Sequence, residues 1–179
     1  MTTPSQAAVV LKNNGIIVHQ TDTVLGLACL PKEPLLQRLT QVKLRSLKKG
    51  FILLASSIEQ IHDYVQVAPE FLKEIKPTSP RSTTWLVKAN TNIAASLIGE
   101  THKVAVRLTD HQSIKLICEK VGAIASTSAN LSSLNTCSQL EQARNMFGPQ
   151  IDYLEPIICP GSNQASRIID LASGNIIRE

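Results

Sequence analysis

Aromatic side chains are scarce in this sequence of 179 residues, since Phe, Trp and Tyr together make up 3% of it. Proteins that read single-stranded RNA by base stacking need clustered aromatic side chains. The scarcity argues against an RNA platform of that kind. The net charge of +4 and the isoelectric point near 9.0 mildly favour anionic partners such as nucleotides or RNA.

Motifs for metals and for common nucleotide folds are also missing. The four cysteines, at positions 29, 118, 137 and 159, form no CxxC pair, and no histidine pair accompanies them at zinc-site spacing. We expect reduced thiols in a cytosolic protein. Neither GxGxxG nor GxxxxGK[ST] occurs, so a bound nucleotide would be held by another scheme.

Long apolar runs and a basic, apolar leader are absent as well. We therefore expect a cytoplasmic protein with no membrane contact. The hydrophobic fraction of 43% and the charged fraction of 18% are those of an ordinary globular protein. The length predicts a single domain over residues 1–179.

Short apolar runs alternate irregularly with amphipathic stretches, which predicts one α/β or α+β domain. Thr83–Ala89 and Lys103–Leu108 are typical of strands, and Phe51–Ala55 of a central strand. Asp110 is expected to cap a helix that starts near His111. The predicted helices cover 5–13, 33–43, 57–65, 69–75, 92–98, 111–121 and 139–147, and the predicted strands cover 16–18, 24–30, 51–55, 83–89, 103–108, 123–126, 157–158, 167–171 and 176–178.

The segment Thr21-Asp22-Thr23 lies between two runs rich in β-branched residues, which predicts strand, tight connection and strand. Rigid strands would hold two hydroxyls and a carboxylate in place for a small polar ligand. An ordinary hairpin turn is the alternative, because Asp and Thr are common in turns.

A basic segment follows the second predicted helix. No acidic residue lies between Glu33 and Glu59, whereas five basic residues do. Lys43 and Arg45 could both face one ligand if the chain is extended after the helix. Arg offers a fork for phosphate and Lys a compact charge. A solvated basic face is the alternative.

Two later segments carry candidate anion-binding groups. Arg107 ends an apolar strand, where it is placed to face an anion, and His111 follows as a candidate base or an ordinary surface histidine. The run 126–130, Ser-Thr-Ser-Ala-Asn, follows a buried strand, and its hydroxyls and amide could hold phosphate or ribose oxygens. A Ser/Thr-rich loop without function is the alternative.

Taken in order, these motifs resemble the YrdC family, and within it the short bacterial threonylcarbamoyl-AMP synthases. The resemblance runs from about Ser5 to the last residues. It rests on Thr21-Asp22-Thr23-Val24-x-Gly26-Leu27, Lys43-x-Arg45 with Lys49-Gly50, Val104-Ala105-Val106-Arg107 and Ser126-Thr127-Ser128-Ala129-Asn130.

The resemblance implies an α/β fold, a YrdC-like twisted open mixed sheet with flanking helices and a basic concave face. It implies synthesis of threonylcarbamoyl-AMP from L-threonine, bicarbonate and ATP, with release of pyrophosphate and with Mg²⁺ on the phosphates. The metal ligands stay unknown. The product would serve threonylcarbamoyladenosine modification of tRNA through partner transfer proteins, and direct contact with tRNA or other RNA is left open.

The resemblance also implies roles for particular residues. Lys43 and Arg45 would be the catalytic cations at the nucleotide. Thr23 would lie beside the substrate threonine, and Arg107 would hold the threonine carboxylate or a phosphate. The remaining residues expected to bind substrate or ATP are Thr21, Lys49, Thr84, Ser126, Ser128, Asn130 and Ser166.

Several positions depart from the family pattern. His19-Gln20 replaces an aromatic residue and Pro, Ser46 replaces Pro, and Ser133 replaces Gly. In 80–84, Arg81 and Ser82 replace Gly and Pro. The late motif has become Ala165-Ser166-Arg167-Ile168-Ile169-Asp170. Arg81 puts a side chain where backbone could approach a ligand, so we expect a shifted substrate pose or weaker activity.

Two rival functions remain open on the sequence. The first is a non-catalytic protein that binds tRNA, rRNA or double-stranded RNA through the basic concave face. The second is a family member that hydrolyses or carbamoylates something other than threonine. Steep loss of RNA binding with added salt would mark the first, and threonine-independent pyrophosphate release would mark the second.

Overall fold

Six helices and nine strands make up the structure, a computed structural model that describes residues 6–46, 48–78, 80–156 and 159–179. The helices are α1 Gln6–Lys12, α2 Glu33–Val42, α3 Pro69–Leu72, α4 Ala95–Ile98, α5 Gln112–Val121 and α6 Leu140–Phe147. The strands are β1 Ile17–Gln20, β2 Leu25–Cys29, β3 Ile52–Ala55, β4 Thr83–Lys88, β5 Lys103–Leu108, β6 Ile124–Ser128, β7 Tyr153–Leu154, β8 Arg167–Asp170 and β9 Ile176–Arg178.

The strands form one open mixed sheet in the order β7-β1-β2-β6-β3-β5-β4-β8-β9. The pairs β1/β7, β3/β5 and β4/β8 are parallel, and the other neighbours are antiparallel. β1 and β2 form a hairpin around Thr21-Asp22-Thr23, as the sequence predicts. β3 lies at the middle of the order, which agrees with its wholly apolar sequence.

The two faces of the sheet are covered differently. One face packs against α2, α4 and α6 and carries the larger hydrophobic cluster, with Val18, Leu27, Leu53 and Val106 among its strand residues. The opposite face packs against α1 and α5 through a smaller cluster that includes Ile17, Ala28, Leu54 and Ile124. Helices therefore cover both faces in part, and the sheet is buried where they lie.

The second face is covered over only part of its area. Side chains alternate along a strand, so residues two apart share a face. Ala28 and Ile124 pack under the helices, whereas Gly26 and Ser126, two positions along β2 and β6, line a cavity. On β3, Ile52 likewise lies two positions from Leu54 and lines the cavity, but it is apolar. On β2 and β6, a step from apolar to small or polar residues marks the border between core and cavity.

The end of α2 turns sharply and does not run on as an extended chain. The Leu44 N–H donates to the Gln41 carbonyl at 3.0 Å, and the Arg45 N–H donates to the Thr40 carbonyl at 3.0 Å. This is a Schellman motif, in which the residue after the cap adopts the left-handed conformation, usually as glycine. Here that residue is Leu44, with φ of 48° and 75% exposure. The chain from Lys43 to Arg45 is therefore turned and not extended.

Most predicted elements are present, with three corrections. The segment 57–65 holds only a 3₁₀ turn at Glu59–Ile61, and its last residue, Val65, forms an isolated antiparallel bridge with Ala89. Asp110 does not cap α5, because His111 occupies the N-cap position and no side chain bonds there. The strand predicted to end at Ser126 continues to Ser128, where it pairs with Gly26.

The predicted strand at 157–158 lies outside the described residues, and so does the first residue of the predicted helix 5–13. A turn with Gly174 at φ of 71° joins β8 and β9. Within the described ranges, none of the helices is both long and apolar enough to cross a membrane.

Replacing Leu44 with glycine should stabilise the protein. Left-handed backbone costs a non-glycine residue about 1 kcal/mol or more, and Leu44 has little burial to lose. We expect Leu44→Gly to raise the free energy of unfolding in urea by about 1 kcal/mol. Leu44→Ala is the matched control, since it shortens the side chain but keeps the strain. An equal gain in both variants would contradict this reading of the turn.

Candidate active site

A cavity of about 430 Å³ opens on the uncovered part of the sheet. Residues of the β1–β2 hairpin, the basic segment after α2, β5, β6 and the C-terminal strands line it. Five of the lining residues are cationic, and among the described lining residues none is Asp or Glu. The cations are Arg45, Lys49, Lys103, Arg107 and Arg178.

The hairpin residues Thr21 and Thr23 form a hydrogen-bond chain that starts at Arg107. Arg107 Nη1 donates to Thr23 Oγ1 at 3.1 Å, and the two threonine hydroxyls lie 2.7 Å apart. Thr21 Oγ1 donates its only hydrogen to the Val24 carbonyl at 2.9 Å. Thr23 must therefore donate to Thr21. The Val24 carbonyl, which can only accept, and Arg107, which can only donate, together set the direction of the bonds in this chain.

Contacts on two sides hold this hairpin: Asp22 faces Arg107, and the backbone around residues 161–163 packs against the hairpin carbonyls. Arg107 Nη2 lies 3.5 Å from Asp22 Oδ1, and Arg107 is only 4% exposed. The Asp22 and Thr23 carbonyls accept the N–H groups of Ser162 and Asn163 at 3.0 and 2.8 Å. Gly161 packs so closely that a Cβ there would overlap the Thr21 and Thr23 carbonyl oxygens. The hairpin is thus fixed on both sides.

Burial affects the charge of Arg107. Desolvation lowers the pKa of its guanidinium below the usual value, while the Asp22 carboxylate acts in the opposite direction. A buried cation with one carboxylate and one hydroxyl partner is costly unless those partners stay in place. The charge of Arg107 is therefore stabilised only while the hairpin keeps Asp22 and Thr23 in place.

Arg45 crosses from the basic segment to β6. Its Nη1 donates to Thr127 Oγ1 at 2.6 Å, and its Nη2 donates to the Gly50 carbonyl at 2.6 Å. The guanidinium carbon lies 5.2 Å from the centre of the Phe51 ring, within range of a cation–π contact. Burial lowers the Arg45 pKa, so the charge sits in a partly desolvated site.

Lys43 lies beside a second, smaller cavity of about 230 Å³ that shares Arg45, Lys49 and Ser128 with the first. Lys43 is 2% exposed, and its Nζ donates to the Ser128 and Asn130 carbonyls at 2.5 Å and to Asn130 Oδ1 at 3.2 Å. Burial and Arg45 lower its pKa to about 7. Three oxygen acceptors nevertheless match the three donors of the charged form. Lys43 therefore holds the loop after β6.

Ser126 lines the cavity, and the fully buried His19 lies behind Gly26 and Ser126. His19 Nε2 and Ser126 Oγ lie 3.1 Å apart, and a Cβ at Gly26 would come within 2.9 Å of the ring nitrogen. His19 is fully buried, and burial followed by the charge of Arg107 lowers its pKa to about 3. The imidazole is thus neutral at physiological pH, and glycine is required for close packing above it.

The C-terminal strands form the opposite wall. Thr84 Oγ1 and Ser166 Oγ lie 2.7 Å apart, and Arg178 donates to the Ser166 carbonyl from Nε at 3.1 Å and from Nη2 at 2.7 Å. Lys103 also lines the cavity and pairs with Asp170. No pattern in the sequence pointed to Arg178 as a site residue. Lys103 could have been predicted, because Lys103, Ala105 and Arg107 are two positions apart on β5 and so share one face of the sheet.

The structure brings most of the predicted site residues together. Thr84 reaches the main cavity only through Ser166, and His111 lies outside both linings, with its ring Nε2 3.0 Å from the Cys159 carbonyl. The Arg81 side chain contacts Glu179 at 3.4 Å and is not among the lining residues. The main cavity is lined by Thr21, Thr23, Arg45, Lys49, Arg107, Ser126, Ser128 and Ser166, and the smaller one by Lys43, Arg45, Lys49, Ser128 and Asn130.

Comparison with known proteins identifies the family. The family model Sua5/YciO/YrdC, described as "Telomere recombination", matches residues 9–179. A threonylcarbamoyl-AMP synthase of Haemophilus influenzae (strain 86-028NP) is 34% identical over 179 residues, covering 97% of each chain. The chain belongs to the Sua5/YciO/YrdC family. Within that family, relatives from Haemophilus influenzae, Histophilus somni and Pasteurella multocida carry the name threonylcarbamoyl-AMP synthase.

Solved structures agree with the fold. P. abyssi Sua5 in complex with L-threonine has a TM-score of 0.81 at 22% identity, covering 96% of this chain and 52% of that one. E. coli YciO has a TM-score of 0.79 at 20% identity, covering 98% and 87%. The predictions of an α/β fold with an open mixed sheet and flanking helices, of the family and of the enzyme class are confirmed, and the curated relatives do not support the RNA-binding alternative.

The neutral, buried His19 predicts a loss of stability in mild acid. The unfolded chain takes up a proton on this residue below its ordinary pKa of 6.5, whereas the native state does so only near 3. From pH 6.5 down to about pH 5, the free energy of unfolding should fall by about 2 kcal/mol. Urea titrations at several pH values measure this loss.

A matched pair of variants assigns the loss to one histidine. His19→Gln should flatten the decline between pH 6.5 and about pH 5. His62→Gln, at an exposed histidine, should leave the slope unchanged. Equal slopes in the parent and His19→Gln would refute the assignment.

Proposed function

We propose that this chain joins L-threonine, bicarbonate and ATP into threonylcarbamoyl-AMP and releases pyrophosphate. The observation that carries the proposal is the convergence of five cations and several hydroxyls on one cavity, with no carboxylate among its described lining residues. Such a site suits the phosphates of ATP and the carboxylate of an amino acid. The names of the curated relatives agree with this chemistry. The proposal treats residues 1–179 as a single cytoplasmic domain.

The chemistry requires activation of a poor electrophile. The threonine amine and bicarbonate give a carbamate and water. A carbamate oxygen then attacks the α-phosphorus of ATP, the bond from that phosphorus to its bridging oxygen breaks, and pyrophosphate leaves. Negative charge spreads over phosphoryl oxygens in the transition state, so positioning and cations supply the catalysis. A protein nucleophile is not needed.

Two groups of lining residues suit different substrates. Thr21, Thr23 and Arg107 are joined by hydrogen bonds, and we assign L-threonine to this group. Arg45 and Lys49 line both cavities, and we assign the phosphates to the space between them. Ser126, Ser128, Asn130, Thr84 and Ser166 would then supply hydrogen bonds to phosphate, ribose or threonine.

Lys43 has a different role in this proposal from the one that the resemblance implies. Its three donors are used by the loop of Ser128 and Asn130, so it shapes the phosphate site more than it touches a phosphate. Arg45 makes one hydrogen bond from Nη1 and one from Nη2, and each of these nitrogens carries a second N–H, so the guanidinium keeps donor capacity for a ligand. We therefore assign direct phosphate contact to Arg45.

Mg²⁺ enters the proposal only as an ion carried by the phosphates. Across the described part of the chain, no group of three or more His, Cys, Asp or Glu side chains could hold a metal. Mg²⁺ is bound through oxygen ligands such as carboxylates, whereas the charged side chains that line this cavity are cations, so the cavity does not suit a resident divalent ion. We further propose that the product passes to transfer proteins that modify tRNA. Direct RNA contact stays a separate prediction.

Pyrophosphate release tests the proposal. It should require ATP, L-threonine and bicarbonate together. Arg45→Ala should lower kcat/KM for ATP by about 10²-fold or more, because a donor to the transferring group is lost. Lys49→Ala should lower it by about tenfold. Lys48→Ala is the matched control, because Lys48 is exposed, pairs with Glu100 at 2.9 Å and lines neither cavity.

Each rival function predicts a different result in these measurements. Pyrophosphate release without L-threonine would favour a different acceptor. Failure to bind ATP, together with RNA binding that collapses as salt is raised, would favour the RNA-binding alternative. Thermal melting of each variant separates loss of function from loss of fold, and Arg45→Lys keeps the charge if Arg45→Ala does not fold.

A further inference from the structure

Ser82 brings the loop between α3 and β4 into contact with the active-site hairpin. Its Oγ donates a hydrogen bond to Asp22 Oδ2. Ser82 is also one of the positions at which the chain departs from the family pattern, in the altered segment 80–84. The contact joins residues 60 positions apart in the sequence. It therefore exists only in the folded chain.

We propose that Ser82 is a positioning residue for the reaction. It holds the Asp22 carboxylate so that Arg107 and Thr23 present fixed groups to L-threonine. Ser82 does not line the cavity, so it acts through Asp22 and not on the substrate. The inference rests on the proposed function for the identity of the ligand.

The Asp22 carboxylate has few other contacts. Its Oδ1 is buried and lies 3.5 Å from Arg107 Nη2, a distance that gives charge attraction without a good hydrogen bond. Within the described residues, Ser82 Oγ is the hydrogen-bond donor found on this carboxylate. A hydrogen bond to a charged acceptor is stronger than one between neutral groups. Ser82 therefore determines where the carboxylate points.

The position of the Asp22 carboxylate affects the cavity through Arg107, which contacts both Asp22 and Thr23. Arg107 donates to Thr23, Thr23 to Thr21, and Thr21 to the Val24 carbonyl. A hydroxyl oxygen has two acceptor sites. Arg107 fills one on Thr23, and the other stays available to an ammonium or hydroxyl donor of a ligand. Thr23 is 3% exposed and lines the cavity, so this acceptor is available only inside it.

The loop that carries Ser82 is anchored independently of the hairpin. Thr78 Oγ1 donates to the Arg81 carbonyl at 2.8 Å, and the Arg81 side chain pairs with Glu179 at 3.4 Å. The Arg81–Glu179 pair is exposed and contributes little, whereas the Ser82 carbonyl accepts the Arg167 N–H at 3.0 Å and so ties the loop to β8. Loop stability and the Ser82–Asp22 bond can therefore be disturbed separately.

Kinetics of Ser82→Ala test the proposal. We expect KM for L-threonine to rise by about tenfold, as for loss of a hydrogen bond to a charged group, with KM for ATP changed by less than about twofold. Ser82→Thr keeps the hydroxyl and should restore the parent value. Thr78→Val is the matched control, because it loosens the same loop without touching Asp22, and should leave KM for L-threonine within about twofold.

Calorimetric titration of L-threonine separates this inference from the proposed function. If the unmodified protein binds L-threonine but releases no pyrophosphate, the proposed function fails, and weaker binding by Ser82→Ala would still support the inference. Unchanged affinity in Ser82→Ala would overturn it. A rise in both KM values, an equal loss in Thr78→Val, or no L-threonine binding by the unmodified protein would also overturn it.

Discussion

The burial of Arg107 is the constraint on which the cavity depends. A guanidinium that is 4% exposed has lost most of its contact with water, and its charge is tolerable only beside fixed partners. Those partners are Asp22 and Thr23, so the charge on β5 determines the shape of the hairpin between β1 and β2. The close approach of Gly161 on the other side leaves the hairpin little freedom to adjust.

The sheet supplies this constraint by leaving part of one face uncovered. Helices α1 and α5 bury the apolar residues of that face, and the same strands then continue with glycine, serine or cations. Backbone hydrogen bonding of the strands fixes the spacing of these groups more rigidly than loops could. The Schellman turn after α2 brings Lys43 and Arg45 to the same border, one to the loop after β6 and one to Thr127.

Prediction from the sequence succeeded where a local pattern carried the information. The hairpin around Thr21–Thr23, the central strand near Leu53 and the amphipathic α2 all follow from the spacing of apolar residues. It failed where the pattern was short or shared between elements. The region 57–65 forms only a 3₁₀ turn, and Asp110 does not cap α5. The turn at Leu44 was also missed, since leucine rarely adopts a positive φ.

The family, the fold class and the set of polar groups available for catalysis follow from the sequence alone, because motif order and residue chemistry can be read along the chain. Which of these groups meet depends on the folded structure. Lys43 is bound to loop oxygens, Ser82 reaches Asp22 and Arg178 reaches Ser166. Each of these contacts depends on strand order and on the register of pairing. Both are set by packing of the whole sheet, and no short stretch of sequence encodes them.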